Sequence, residues 1–134
     1  DGLAPLEALM VEFHSSHQPI TSFDRNQSAW REFAISLIEY RKGNFDPCME
    51  WLQKCAAMPH QNRARSAIAT TLRAMVYHRQ NRRVEAEDEL AAARHMIGER
   101  FASEPGIFDQ GEPFWADWVN ARILLREADA LLGE

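Results

Sequence analysis

Few side chains of this 134-residue chain have the types and spacing needed for chemistry. Cys48 and Cys55 stand seven residues apart in a stretch with helical periodicity. Seven residues of helix separate two Cα atoms by roughly 10 Å, whereas a disulfide needs less than about 7 Å, so these two cannot be bonded to each other. A zinc site that adds His60 would lack the short ligand spacings of known sites. We therefore expect two small buried residues at a helix interface.

The histidines and carboxylates form no recognisable catalytic pattern. His14 and His17 fall in a stretch that reads as a polar loop, with no acidic residue at metal-ligand spacing. There is no His-Glu-x-x-His, no Gly-x-Ser-x-Gly and no phosphate-binding loop. The acidic run at residues 85–89 lies near a predicted helix start, where negative charge stabilises the positive end of the helix dipole. An enzyme is therefore the least favoured class, and neither catalytic residues nor a cofactor are predicted.

Composition and charge exclude several classes of protein. A hydrophobic content of 46% with 26% charged residues is ordinary for a globular domain. The net charge of -5 argues against a nucleic-acid binder, and no apolar run approaches the roughly 18 residues that span a bilayer. Two unpaired thiols favour a reducing cytoplasm, the alternative being an extracytoplasmic tail of a membrane protein. Since the first residue is Asp1 without a signal-peptide pattern, we expect a piece of a longer protein.

Helical periodicity runs through nearly the whole chain, so the predicted fold class is all-α. The expected helices cover about residues 3–13, 28–43, 45–58, 62–80, 83–101 and 113–132. Residues 14–26 and 102–112 read as loops. Ser28 is predicted as an N-cap because a serine oxygen can accept from the first free amides of a helix. Gly43 and Asn81 stand at breaks of the kind that end a helix in left-handed backbone.

An internal repeat appears when Gly43 is placed on Asn81, an offset of 38 residues. The matched pairs are then Ser36 with Ala74, Ile38 with Val76, Cys48 with Ala86, Leu52 with Leu90, and Cys55 with Ala93. Small residues recur where two helices must approach closely, and a larger apolar residue fills the space between them. We therefore expect one domain over residues 1–134, with repeat 1 at about 28–59 and repeat 2 at about 62–101.

The last helix is expected to close the apolar end of the second pair. Its Trp118, Ala121 and Leu125 lie on one face and should pack on the helix at residues 83–101. The segment at about 113–132 is thus predicted to be a capping helix.

The repeated strings resemble the tetratricopeptide repeat. The family pattern is a small residue and an aliphatic residue before the break, followed by small-x-x-x-Leu-x-x-small after it. The second string reads Cys48-Leu52-Cys55 in one copy and Ala86-Leu90-Ala93 in the other. The resemblance implies a TPR-like helical repeat that winds into a right-handed superhelix, with two helix–turn–helix pairs flanked by an N-terminal and a C-terminal helix. Such stacks present a concave surface and carry no chemistry of their own.

A narrower resemblance covers about residues 30–132. Residues 39–45 read Glu-Tyr-Arg-Lys-Gly-Asn-Phe and residues 50–52 read Glu-Trp-Leu. These strings, with Trp115-Ala-Asp117-Trp118 and the Leu-Leu-Arg-Glu-Ala of residues 124–128, are similar to the tetratricopeptide region at the C-terminal end of large serine/threonine protein kinases of planctomycete-like bacteria. No kinase motif is present in the chain. The resemblance therefore implies the non-catalytic tail of such a signalling protein.

The favoured function is a protein- or peptide-binding scaffold. The candidate residues of its concave face lie on the first helix of each pair: Trp30, Phe33, Leu37, Tyr40, Arg41, Thr71, Met75, His78 and Arg79. Residues 60–84 contain six arginines and no acidic residue, so an acidic or carboxylate-ended peptide is the expected ligand. Core packing is the ordinary role for tryptophans, with Trp30 as the expected exception. The alternative for the arginines is a solvated face near a helix C-terminus.

A second function stays open at this stage. The chain could be a structural, self-associating or small-ligand-sensing domain whose grooves are filled by its own flanking helices or by a second copy. Exposure of Trp30, Tyr40, Arg41 and Arg79 distinguishes the two, because an open groove favours partner binding and a filled one favours self-association into a homo-oligomer.

Overall fold

The computed structural model describes residues 2–16, 22–57, 62–102 and 115–133. These residues form α1 (Ala4–Ser16), α2 (Ser22–Lys42), α3 (Phe45–Ala57), α4 (Arg63–Arg79), α5 (Arg83–Ala102) and α6 (Trp115–Leu132). The all-α prediction is confirmed, since the described segments contain no strand. None of their helices combines the length and the apolarity that crossing a bilayer requires. Most of the predicted loop at 102–112 lies outside the described residues.

The predicted loop at residues 14–26 is wrong at both of its ends. Helix α1 continues to Ser16, and α2 already begins at Ser22. Ser28 is therefore not an N-cap but a fully buried residue within α2. The Ser28 side chain contacts a residue of α1 instead of capping nearby backbone amides. The Ser28 hydroxyl oxygen lies 3.3 Å from His14 Nδ1. This contact joins α2 to α1.

Residues 1–61 form a compact unit, hereafter unit 1. Helices α2 and α3 pack together on either side of a two-residue break, and α1 packs on α2. Gly43 takes left-handed backbone with φ of 82°, and the amide of Asn44 donates to the carbonyl of Glu39 at 2.9 Å. This is the hydrogen bond that closes a helix ending in a left-handed residue. The core of unit 1 is built from Ala29, Phe33, Ile35, Ile38, Cys48, Leu52 and Cys55.

Residues 62–134 form unit 2. Helix α4 begins after Asn62, whose side-chain oxygen accepts from the amide of Arg65 at 3.0 Å as an N-cap. Helix α5 folds back on α4 after a turn in which Asn81 has φ of 60°. Here the amide of Arg82 donates to the carbonyl of Tyr77 at 2.9 Å.

The two units carry the same turn and the same buried positions at the 38-residue offset. The bond from Asn44 to Glu39 corresponds residue for residue to the bond from Arg82 to Tyr77. All ten residues of the matched pairs are buried: Ser36 and Ala74, Ile38 and Val76, Cys48 and Ala86, Leu52 and Leu90, and Cys55 and Ala93. The sequence repeat is therefore also a repeat of local structure, in which small side chains occupy equivalent places in the interior of each helix pair.

The last helix packs differently from the prediction. Helix α6 contacts both other helices of unit 2, but it lies mainly on α4 and not on α5. Its buried residues are Trp118, Ala121, Leu124 and Ala128, whereas Leu125 is only half-buried. The reason is the composition of α4, which is buried on nearly all sides between Ala64 and Val76 and needs cover beyond that given by α5.

Replacing Gly43 by Ala is expected to lower the free energy of unfolding by about 1–2 kcal/mol. An added Cβ at Gly43 would meet nothing within 4 Å, so the cost is that of left-handed backbone alone. Gly98 is the matched control, because it is helical and equally free of neighbours. Gly98→Ala should raise the free energy of unfolding by up to about 1 kcal/mol. Urea denaturation followed by circular dichroism measures both, and equal shifts in one direction would contradict this account of the turn.

Candidate functional site

The nine candidate groove residues divide between the two units, with five on α2 and four on α4. Four of them are buried: Phe33, Tyr40, Thr71 and Met75. Trp30, Leu37 and His78 are half-buried, and Arg41 and Arg79 are exposed. A partner that approaches either unit as it stands therefore meets the arginines and the edges of Trp30, Leu37 and His78 first.

The α2 candidates in unit 1 pack largely against one another. Trp30 and Phe33 meet edge to face with ring centroids 6.1 Å apart. The ring of Tyr40 packs on Phe45 at the start of α3, with centroids 6.0 Å apart. The guanidinium of Arg41 lies 5.7 Å from the centroid of the Tyr40 ring, within range of a cation–π interaction. These aromatic groups thus form a packed surface whose outermost charge is Arg41.

The α4 candidates in unit 2 lie in two environments. The hydroxyl of Thr71 donates to the carbonyl of Ala67 at 2.8 Å, and Met75 is fully buried. His78, one turn further along, lines an open cavity of about 400 Å³ together with residues from the α4–α5 turn, from α5 and from the end of α6. The other lining residues are Asn81, Arg83, Ala86, Glu87, Leu132 and Gly133. Among the α4 candidates, those at the C-terminal end of the helix are therefore the accessible ones.

The arginines of residues 60–84 are mostly neutralised within unit 2. The pairs are Arg63–Glu99 at 3.6 Å, Arg73–Glu89 at 3.0 Å, Arg82–Glu85 at 3.0 Å and Arg83–Glu87 at 2.7 Å. Burial raises the pKa of Asp117, and both the Asn62 side chain and the charge of Arg65 act against that rise. The basic excess seen in the sequence is therefore matched by acidic residues of α5 and α6.

A line of four buried polar residues runs along α2: Ser28, Glu32, Ser36 and Glu39. We call it the polar stripe of α2. Its spacing of four, four and three residues places all four on one face of the helix. Part of the stripe bonds within its own helix: the Ser36 hydroxyl donates to the carbonyl of Glu32 at 2.9 Å, and Lys42 lies 3.7 Å from the Glu39 carboxylate. The sequence reasoning missed this stripe, although its helical spacing was visible.

His14 of α1 contacts the N-terminal part of the polar stripe, at Ser28 and Glu32. Its Nε2 lies 3.6 Å from the Glu32 carboxylate, and the Ser28 hydroxyl lies 3.3 Å from His14 Nδ1 and donates to Glu32 at 3.4 Å. The imidazole also packs edge to face on Trp51 of α3, with centroids 5.6 Å apart. The sequence shows no acidic residue at metal-ligand spacing from His14, but in the structure Glu32 lies beside it. Burial lowers the pKa of His14, and the charges of Arg31 and Lys54 lower it further.

Serine, histidine and glutamate together are the side chains of a hydrolytic triad, but this cluster is not arranged as one. Ser28 is 0% exposed, so no substrate could reach its hydroxyl. Its contact is to Nδ1 of His14 and it also bonds directly to Glu32. In a triad the imidazole stands between the two: one ring nitrogen takes the serine proton, and the other donates to an acid that holds the ring in place. The cluster therefore acts as a polar tie between α1 and the α2–α3 pair.

A second tie lies at the other end of the stripe. Glu7 of α1 forms an ion pair with Lys42 and a hydrogen bond with Glu39. Burial and the neighbouring Glu7 raise the pKa of Glu39, while the bonds to Glu39 and Lys42 lower the pKa of Glu7. Asn44 donates to the Glu39 carboxylate at 3.0 Å. The pKa of Glu39 is therefore raised and the pKa of Glu7 is lowered by their contact.

The two thiols are free and buried, as predicted. Cys48 is 0% and Cys55 1% exposed, and burial raises the pKa of the Cys48 thiol to about 12. No group of three metal-ligating side chains is found in the part of the chain that the structure describes. His60, the third member of the conceivable zinc site, lies outside that part.

Comparison with protein-family models, with curated proteins and with solved structures finds no match to this chain.

Cys48→Ala and Cys55→Ala are each expected to lower the free energy of unfolding by about 1 kcal/mol. The loss is small because the matched positions in unit 2, Ala86 and Ala93, already hold alanine in equally buried places. In the wild-type chain the native thiols should be inert to Ellman's reagent at pH 8 and react only after unfolding, since the thiolate is the reactive form. One equivalent of zinc, found by elemental analysis after purification without chelators, would contradict both expectations.

Acidification from pH 7.5 to 5.5 is expected to loosen α1 in the wild-type chain. His14 has a lower pKa when α1 is packed than the ordinary value of 6.5. Below pH 6.5 the detached histidine therefore binds a proton that the packed one does not, and this uptake favours detachment. Amide hydrogen exchange across α1, corrected for the intrinsic effect of pH, measures the change.

His14→Gln should remove most of that pH dependence, because glutamine does not titrate. His95→Gln is the control, as the side chain of His95 is largely exposed on α5. If the two variants show the same pH dependence of exchange in α1, the tie through His14 does not control this helix.

Proposed function

We propose that this chain is a non-catalytic helical module of the tetratricopeptide type that binds a protein or peptide partner. In this proposal it serves as the interaction or regulatory region of a larger bacterial signalling protein such as a serine/threonine kinase. The observation that carries the proposal is the repeat: two helix pairs share the same left-handed turn, the same closing hydrogen bond and the same small buried residues. Repeated helix pairs of this kind serve proteins as surfaces for partners.

The buried Ser28–His14–Glu32 cluster supports the non-catalytic part of the proposal. It is the arrangement within the described residues that comes nearest to a nucleophile with a base, and its serine has no exposed surface. A fold alone would not exclude an enzyme, so this argument rests on the site.

The ligand proposed for the exposed arginines is an acidic or carboxylate-ended peptide. Arg41 and Arg79 stand at the accessible ends of α2 and α4, next to Tyr40 and His78. A guanidinium binds a carboxylate through charge-assisted hydrogen bonds worth roughly 1.5–3 kcal/mol each. Ordering a flexible peptide offsets most of that gain, so the expected dissociation constant is on the order of micromolar.

A second candidate function is a structural domain whose grooves are filled from within. Its support is the burial of Phe33, Tyr40, Thr71 and Met75, together with the packing of α1 on α2 and of α6 on α4. On this proposal the first helix of each pair has little apolar surface left for a partner.

Titration of a peptide library against the wild-type chain, at low and high salt, tests the favoured function. Acidic peptides should bind best, and rising salt should weaken them. The double variant Arg41→Ala/Arg79→Ala should lose binding at least tenfold without a change in helix content. The control Arg63→Ala/Arg126→Ala removes the same charge from other exposed positions and should bind as the wild type does.

Two results would count against this proposal in different ways. Unchanged affinity in the Arg41/Arg79 variant would remove the electrostatic contact but leave partner binding in place. A wild-type chain that binds no peptide of any class would favour the filled, structural domain.

A further inference from the structure

The outer face of α1 carries an apolar stripe formed by Leu6, Leu9 and Phe13. These residues are 48%, 65% and 46% exposed. Their spacing of three and four residues places them on one line along the helix. Met10 and Val11 lie on other sides of α1 and are half-buried, and the helix packs on α2. Helix α1 is therefore apolar on both sides, a property of helices that are covered on both sides.

The stripe differs from ordinary exposed apolar residues. Val84 and Ile123 are the other large apolar side chains exposed in the described segments, and they stand singly on α5 and α6. Single residues of that kind are normal on protein surfaces, whereas a contiguous patch indicates an interaction site. The guanidinium of Arg31 lies 4.8 Å from the centroid of the Phe13 ring and borders the stripe at that end.

We propose that this stripe is a self-association surface, where α1 of one chain packs antiparallel on α1 of a second copy. The proposal goes beyond the binding function above and does not depend on it. Leu9 stands three residues from Leu6 and four from Phe13, so the stripe is nearly symmetric about Leu9. A two-fold axis at Leu9 brings each Leu6 opposite Phe13 of the second copy, the smaller side chain against the larger. Such a pairing uses the same patch on both chains.

The spacing and the charges of α1 favour a second copy over a lipid surface. Alternating steps of three and four residues are those of the a and d positions at which two helices interlock. Glu7 and Glu12 are the acidic residues of α1, and it contains no lysine or arginine, whereas helices that bind anionic bilayers are rich in both. Arg31 borders the stripe at Phe13, so antiparallel pairing brings its positive charge to the Leu6 end of the second copy, where Glu7 follows in the sequence.

The size of the stripe determines how strong the contact is. The exposed parts of two leucines and a phenylalanine amount to on the order of 300 Å² per chain. An interface of roughly 600 Å² is below the range of about 1,200–2,000 Å² of stable complexes. The dimer is therefore weak and reversible, and it forms at protein concentrations of roughly hundreds of micromolar.

Sedimentation equilibrium of the full chain from about 10 µM to 1 mM tests the proposal. The weight-average mass should rise with concentration from that of the 15.4 kDa chain towards twice that value. The Leu9→Glu variant should stay monomeric at all concentrations, because a dimer would bury two like negative charges next to each other at the axis. Its circular dichroism should be unchanged, because the side chain of Leu9 is exposed in the single chain. Ile123→Glu is the matched control and should associate as the wild type does. A wild-type chain that is monomeric at 1 mM, or a Leu9→Glu variant that still dimerises, overturns the proposal.

Disulfide trapping tests the geometry and does not depend on the effect of a charge. Leu9→Cys should form an intermolecular disulfide under mild oxidation, because the two Cα atoms near the axis come within about 7 Å. Leu6→Cys and Phe13→Cys should cross-link when mixed but not alone, and Ile123→Cys is the control that should not cross-link. Self-linked Leu6→Cys, which indicates parallel helices, overturns the proposal. A dimer in which Leu9→Cys does not cross-link also overturns the proposal. Exchange of α1 between two chains would give that result.

Discussion

Each helix pair depends on a reversal of chain direction within two or three residues. Gly43 and Asn81 both take left-handed backbone, and a bond from the following amide to a carbonyl five residues earlier closes both turns. Small side chains are buried at matched positions after both turns. Cys48 and Ala86, each five residues after its turn residue, are fully buried. The same turn is thus followed in both units by a small buried side chain, and the chemistry of the thiol contributes nothing to that role.

The two units cover their first helix by opposite means. In unit 2 the flanking helix α6 packs on α4 with Trp118, Ala121, Leu124 and Ala128 buried, and Asp117 near Asn62 and Arg65 is the polar part of that contact. In unit 1 the polar stripe of α2 contains two buried carboxyls, and α1 supplies His14 and Glu7 as further partners for them. Buried polar groups are costly unless they are bonded, so the position of α1 is specified more narrowly than packing alone would require.

Local signals in the sequence predicted most of the fold. Helical periodicity, the two turn residues and the repeat of small residues each act within a few positions, and the structure bears them out. The errors arose where a residue finds its partner far along the chain. Ser28 looks like an N-cap because serine often bonds to nearby amides, yet its hydroxyl meets His14 fourteen residues away. The predicted charge of the site failed for the same reason. The arginines of α4 are visible within one segment of the sequence, whereas the residues that neutralise two of them, Glu89 and Glu99, lie in the next helix.

The separation of charge between α4 and α5 has a consequence for how unit 2 assembles as the chain is synthesised. Helix α4 leaves the ribosome first and has no acidic residue of its own, so its arginines repel one another until α5 follows. Arg73 then pairs with Glu89, and Arg63 pairs with Glu99, as expected for two antiparallel helices. Shifting α5 along α4 by one helical turn would separate both pairs. Because Arg73 and Glu89 stand only 16 residues apart in the chain, their contact forms early. Opposite charges thus select the register of α4 and α5 before α6 exists to cover them.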